Sequence, residues 1–397
     1  MTSIDSDAAP PAIGLAPLFL KFLRFGCLAF GGPVAQIAMI RQALVEEERW
    51  ITGARFNRLL AVMQVLPGPE AHELCVHMGM VARGRWGGLF AGLGFMLPGF
   101  VLMLGCAAAY QALIAGRAGL AGVLLGVQIV VVAIIARAVE RIGRHALTDR
   151  LLGLLALASL IATLAGVSFW IPLATAGLVY AFAIRPGVAI AFAAGGLLLA
   201  FAFHALGDPS AAASQMLSGE ATAAALFVAG LKGGLLTFGG AYTAIPYVRH
   251  DTVGRGWMSD GTFLDGVALA GMLPAPLVIF GTFVGYVAGG WIGALAVTAG
   301  IFLPAFAFSM ILFERLERIV ENPALHRLLD GIAGAVVGII AATCLQLGLA
   351  VLDRAPALWP VAIVFVAALT AAWFWKGRFA VPALVALGGA IGAALFS

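Results

Sequence analysis

The chain has 397 residues, 62% of them hydrophobic and only 11% charged, with a mean hydropathy of +1.04. Soluble domains carry about 25% charged residues, so this composition excludes one. Runs of the ~20 apolar residues that cross a bilayer read as a polytopic helical membrane protein, and their continuity excludes a membrane β-barrel. The formal charge of +4 comes mostly from loop arginines, a mark of the positive-inside bias and not of nucleic-acid binding.

Residues 1–14 hold two aspartates and no Lys or Arg. They read as a disordered N-terminal arm, not as a cleavable signal, which needs a basic start. The first segment runs from Leu15 to about Gln42 and is interrupted by Gly31, Gly32 and Pro33. Glycine weakens a helix and an interior proline removes a hydrogen bond, so the helix breaks there, and Pro33 can start a second half-helix. Segment two, from Phe56 to about Val81, is interrupted by Pro67-Gly68-Pro69. Segment three covers Trp86 to Tyr110 and segment four Leu120 to Val139. Two more lie between Leu151 and Ile184, and a linking helix starts near Val188. The four cysteines form no CxxC pair and read as small core residues.

The pattern then restarts. Phe238 repeats Phe30, Trp257 repeats Trp50, Pro274 and Pro276 repeat Pro67 and Pro69, and Pro304 repeats Pro98, all displaced by 206 to 208 residues. A colinear series with so little drift is an internal duplication. The predicted fold is all-α: two homologous six-helix repeats (15–186 and 222–397), joined by a linking helix and polar linker (187–221). Seven apolar segments before the second copy make the repeats inverted, with about 13 segments in all, a common transporter plan. The loop charges do not fix the orientation, because Arg41, Arg49, Arg55 and Arg58 break the tally.

Four breaks at matched positions are the candidate substrate site: Gly31, Gly32 and Pro33 with Gly239 and Gly240, and Pro67, Gly68 and Pro69 with Pro274 and Pro276. Irregular backbone in hydrocarbon is tolerated only inside protein or along a cavity. Half-helix N-termini there would point N–H groups at an anion; plain packing kinks are the alternative. Arg24 and Lys232 each precede a glycine pair by seven residues. Either they face the pathway as countercharge or they snorkel to the interface. Gln36 offers hydrogen bonds to substrate or to packing. Glu70, His72, Glu73 and His77 follow Pro69 and suit proton coupling; Glu70 alone also complements a helix dipole. Trp50 and Trp257 suit interfacial anchoring. No Walker, Rossmann or HExxH motif occurs, so neither an enzyme nor a cofactor or resident metal is expected.

Phe30-Gly-Gly-Pro-Val-Ala-Gln-Ile-Ala-Met39, Leu66-Pro-Gly-Pro-Glu70, Leu97-Pro98, Phe238-Gly-Gly240 and Leu273-Pro-Ala-Pro276 together resemble the chromate ion transporter family, in its long two-domain form. Ala275 departs from the pattern, where a glycine is expected. The resemblance implies an inner-membrane secondary transporter that exports chromate, or a sulfate-like tetrahedral oxyanion, driven by the proton gradient or membrane potential. Its expected partners are that oxyanion, protons and the lipid bilayer, with a homodimer as one assembly. Uptake or exchange of sulfate or another oxyanion, or a passive anion channel, are the alternatives.

Overall fold

The computed structural model describes residues 12–65, 67–206, 220–238, 240–312, 323–375, 377 and 379–396. Most of the expected N-terminal arm, Gly239 and the linker at 207–219 lie outside the described residues. The described chain is helical, and its exposed side chains explain where it lives. Leu197, Leu198 and Phe201 of α8 (Pro186–Leu206) and Trp359, Ile363 and Phe374 of α14 (Leu358–Phe374) are each well over half exposed. A monomeric soluble protein rarely shows such contiguous apolar surface. Among the described residues four helical stretches are long and apolar enough to cross a membrane.

The first half opens with α1 (Leu15–Cys27) and α2 (Gly32–Arg41). Between them Gly31 and Gly32 hold φ of 90° and 79°, left-handed values that side chains resist. Next come α3 (Gly53–Val65) and α4 (Glu70–Leu113). The latter is not one rod. Arg83 and Gly84 leave helical geometry, Gly84 at φ 60°, and the chain doubles back. A Cβ on Gly79 would strike the Gly87 carbonyl, and one on Gly87 the Gly79 carbonyl, so the two arms (70–82 and 85–113) lie backbone to backbone. The half closes with α5 (Ala121–Ala146), α6 (Arg150–Leu164) and α7 (Trp170–Ala181). Asp149 caps α6: its Oδ1 accepts from the Leu152 N–H at 2.9 Å and its Oδ2 from the Tyr180 hydroxyl at 2.7 Å. These bonds hold its carboxyl below the ordinary range.

The second half contains α9 (Ala223–Leu235), α10 (Ile245–Thr252), α11 (Asp260–Met272), α12 (Phe280–Ala307), α13 (Pro323–Leu352), α14 and α15 (Ala380–Phe396). Within α12 the chain leaves helical geometry at Gly289 and Gly290, Gly290 at φ 62°. There too a Cβ on Gly285 would strike the Gly293 carbonyl. Contacts between helices recur in the same way. A Cβ on Gly94 would meet the Phe19 carbonyl and Leu23 nitrogen; one on Gly300 would meet the Phe227 carbonyl and Leu231 nitrogen. Lipid supplies no hydrophobic drive between helices, so small residues that let backbones approach are what associates them.

The halves interlock instead of sitting side by side. α5 packs on α14 and α15, and α13 packs on α6 and α7. Gly126 lies against Gly388 and Gly392, and Gly338 against Ala156. Trp50, expected at an interface, is buried at 2% exposure: its ring meets Phe22, Lys21 lies over it, and its Nε1–H donates to Glu48 at 2.9 Å. The Glu48 carboxylate, not lipid headgroups, satisfies the indole N–H. Cys27, expected in the core, is exposed, whereas Cys75 is buried.

Candidate functional site

The breaks of the two halves meet. The Gly68 N–H donates to the Thr237 carbonyl at 2.8 Å, joining the Pro67–Pro69 break to the one before Gly240. On the other side the Gln36 amide donates to the Ala29 carbonyl at 2.8 Å and to the Ala275 carbonyl at 3.1 Å. Gln36 is 1% exposed, so the side chain that could have faced substrate is a brace between two breaks. Unwound carbonyls buried in a membrane need such donors. Gly68 sits at φ 145°, whereas Ala275 at the matched position is not among the positive-φ residues and packs against Gly99.

Beside these breaks lies a cavity of about 350 Å³. Pro33 and Val34 of the α2 N-terminus, Glu70 at the start of α4, and Phe238 and Gly240 of the second half line it. The first turn of α2 carries N–H groups with no intrahelical partner and the positive end of its dipole, although Pro33 itself has no N–H. Arg141 and His145 from the last turns of α5 and Asp330 of α13 complete the wall. Arg137 and Arg144 are spoken for: both pair with Glu140, and both lie over the Trp373 ring, at 4.4 and 5.3 Å from its centroid. Arg141 has no ion pair among the described residues. The cavity therefore offers a guanidinium, an imidazole and a helix N-terminus to a small anion, with one carboxyl at each side.

The two cations singled out in the sequence stand elsewhere. Arg24 is exposed on α1, on the stripe that carries Leu20 and Leu28, and does not line the cavity. Lys232 pairs with Asp251, which is 3% exposed, at 3.0 Å. Of the four acid and imidazole residues after Pro69, only Glu70 reaches the cavity. His72 is fully buried between the Phe302 and Phe306 rings, each centroid 4.8 Å away. Glu73 is fully buried against Gly68, and Ser309 donates to its backbone carbonyl. His77 is buried farther along the same arm. Pro67, Pro274 and Pro276 shape the breaks without lining the cavity, and Gly239 lies outside the described residues.

Sequence reasoning missed Arg141 by assigning it to the solvated loop charges. A signal was present: Arg137, Arg141, Arg144 and His145 share the end of α5 with a single acid, Glu140. One acid cannot neutralise that set, so a cation is left for the cavity.

The chromate transporter family's sequence profile matches residues 16–200 and 224–393. The chain is 52% identical over 400 residues to a chromate transport protein of Pseudomonas aeruginosa, covering 100% of this chain and 96% of the relative. It is 31% identical over 357 residues to a chromate transport protein of Cupriavidus metallidurans, covering 87% and 86%. No solved structure matches the chain.

Proposed function

The chain belongs to the chromate transporter family, and from that premise we propose that it exports chromate, or a similar tetrahedral dianion, across the inner membrane as a secondary transporter with inverted repeats. The observation that carries this reading is that Pro33, Gly240, Glu70 and Arg141, which has no ion pair among the described residues, open onto one cavity. A dianion cannot enter low dielectric without countercharge. Arg141 and the α2 N-terminus supply it, with His145 beside them. An inside-negative membrane potential favours outward movement of two charges by about 4.6 kcal/mol per 100 mV, at about 2.3 for each.

Glu70 is the switch at this site. Ionised, it competes with the dianion for Arg141; protonated, it leaves Arg141 free. Oxyanion binding by the purified protein therefore weakens as pH rises through the titration of Glu70. Glu70→Gln binds with a shallower pH dependence than the wild type, and a wild-type pH profile in that variant removes Glu70 from the role. Export itself is tested by chromate accumulation in a chromate-sensitive host. Expression lowers accumulation if the reading holds, and unchanged or raised accumulation overturns export.

A further inference from the structure

Another buried carboxyl sits against the N-terminal end of α5. Asp265 of α11 is 4% exposed. Its Oδ2 accepts from the Tyr110 hydroxyl at 2.7 Å, and its Oδ1 from the Gln128 amide at 3.0 Å. Arg354, in the turn after α13, donates to the Gln128 Oε1 at 3.3 Å and does not touch the carboxylate itself. Gln128 and Arg354 line a cavity of about 260 Å³ together with Gly122, Leu125 and Phe396. Gln128 thus has one contact in the cavity wall and another on Asp265.

Position along α5 sets this cavity apart from the first. The oxyanion cavity uses Arg141 and His145, near the helix C-terminus; this one uses Gly122, Leu125 and Gln128, near its start. Thirteen residues separate Gln128 from Arg141, about 20 Å along a helix that rises 1.5 Å per residue. α5 is long enough to cross the membrane, so the two cavities approach from opposite faces.

Arg354 acts on Asp265 only through space, and the other groups named around it are uncharged. α4 brings Tyr110, α5 the neutral Gln128, α12 the Phe283 ring against Tyr110, and α15 contains no titratable residue. Asp260, on the same helix, is held by Arg249 at 2.6 Å. An amide at position 265 could satisfy a hydrogen-bond latch. A carboxylate with no cation in contact is costly inside a membrane, and such residues mark proton paths. A proton is the smallest ligand that neutralises it.

Building on the transport reading above, we propose that Asp265 takes up and releases a proton in the transport cycle, exchanging with water in the Arg354 cavity at the membrane face opposite the oxyanion site. In the step a hydronium ion gives its proton to Asp265 Oδ1 as the Gln128 amide swings aside, leaving water and a neutral carboxyl. Tyr110 keeps its bond to Oδ2 and holds the side chain in place. Release is the reverse.

Two measurements test this on the full-length protein. Infrared difference spectra across pH follow protonated carboxyls directly and need no transport. The account expects a band that titrates in the wild type and is lost in Asp265→Asn; a spectrum unchanged by that substitution overturns it. Should Asp265→Asn fail to fold, Tyr110→Phe removes one donor without touching the carboxyl. It must then move the midpoint of that band, and an unmoved midpoint overturns the proposal. In proteoliposomes with an entrapped pH dye, wild-type chromate flux is accompanied by proton movement, and Asp265→Asn moves fewer protons for each chromate it still carries. Proton movement at the wild-type ratio in that variant also overturns the proposal. If the wild type moves no chromate at all, the transport reading fails, while the infrared result still decides whether Asp265 titrates.

Discussion

The two halves turn matching glycine hairpins and differ in the polar groups they place around them. Gly84 and Gly290 turn their hairpins at φ of 60° and 62°, and Gly79–Gly87 and Gly285–Gly293 pack those hairpins alike. The polar groups do not repeat. Glu70 at the first half's break faces Leu277 in the second, and the exposed Arg58 of α3 stands where the second half buries Asp265. The cavity at Glu70 measures about 350 Å³, whereas the pocket lined by Leu277 and Tyr242 is apolar and measures about 10 Å³. The Asp-Arg pairs Asp149-Arg150 and Asp353-Arg354 also serve differently: Asp149 caps α6, while Arg354 reaches Gln128. The glycine contacts recur in both halves, and the polar groups set on them do not.

The cation before each glycine pair gives the sharpest way to break this comparison. Lys232 neutralises a buried aspartate, and Arg24 has no such duty, so the matched substitutions should diverge. Removing one partner of a buried pair costs about 3–5 kcal/mol; with Lys232 partly exposed, about 3 kcal/mol is expected. Lys232→Ala should lower the melting midpoint strongly, and Lys232→Ala with Asp251→Ala should recover much of the loss. Arg24→Ala should leave the midpoint within error, and equal losses at both sites would contradict the contrast.

Gln36 tests the asymmetry between the breaks. Gln36→Ala strips a donor from two carbonyls, each worth about 1–3 kcal/mol when buried and unsatisfied. A midpoint loss of about 2 kcal/mol is expected, while Ala244→Gln at the matched position restores nothing. The smallest effect tests the shared frame instead. Gly84→Ala and Gly290→Ala meet no atoms within 4 Å, so each should cost only the strain of a glycine-only backbone region, with ψ of −153° and −155°, about 1–3 kcal/mol. Unequal costs would show that the hairpins are not equivalent.

Much of the fold was legible in the sequence because helix breakers in hydrocarbon are conspicuous. Gly31-Gly32-Pro33 and Pro67-Gly68-Pro69 interrupt helices in the structure, and Gly240 and Pro274-Ala275-Pro276 in the second half do the same. The turn at Arg83–Gly84 separates the arms where two segments were expected. The site was less legible. Which cation faces a cavity depends on the partners its neighbours find, and Asp251 lies 19 residues from Lys232. Arg141 reads as loop charge in the sequence, and only the structure shows Glu140 taking Arg137 and Arg144 while Arg141 has no ion pair among the described residues. Asp265 was passed over because its partners, Tyr110 and Gln128, come from the other half of the chain.

The most direct test of the account is oxyanion binding to purified protein, with chromate and sulfate titrated against the wild type, Arg141→Gln and Arg24→Gln. A hydrogen bond to a charged group is worth about 1.5–3 kcal/mol, so Arg141→Gln should weaken binding about 10- to 150-fold. Arg24→Gln should bind as the wild type does. Wild-type affinity in Arg141→Gln, with loss in Arg24→Gln, would contradict the site placed between α2 and α5.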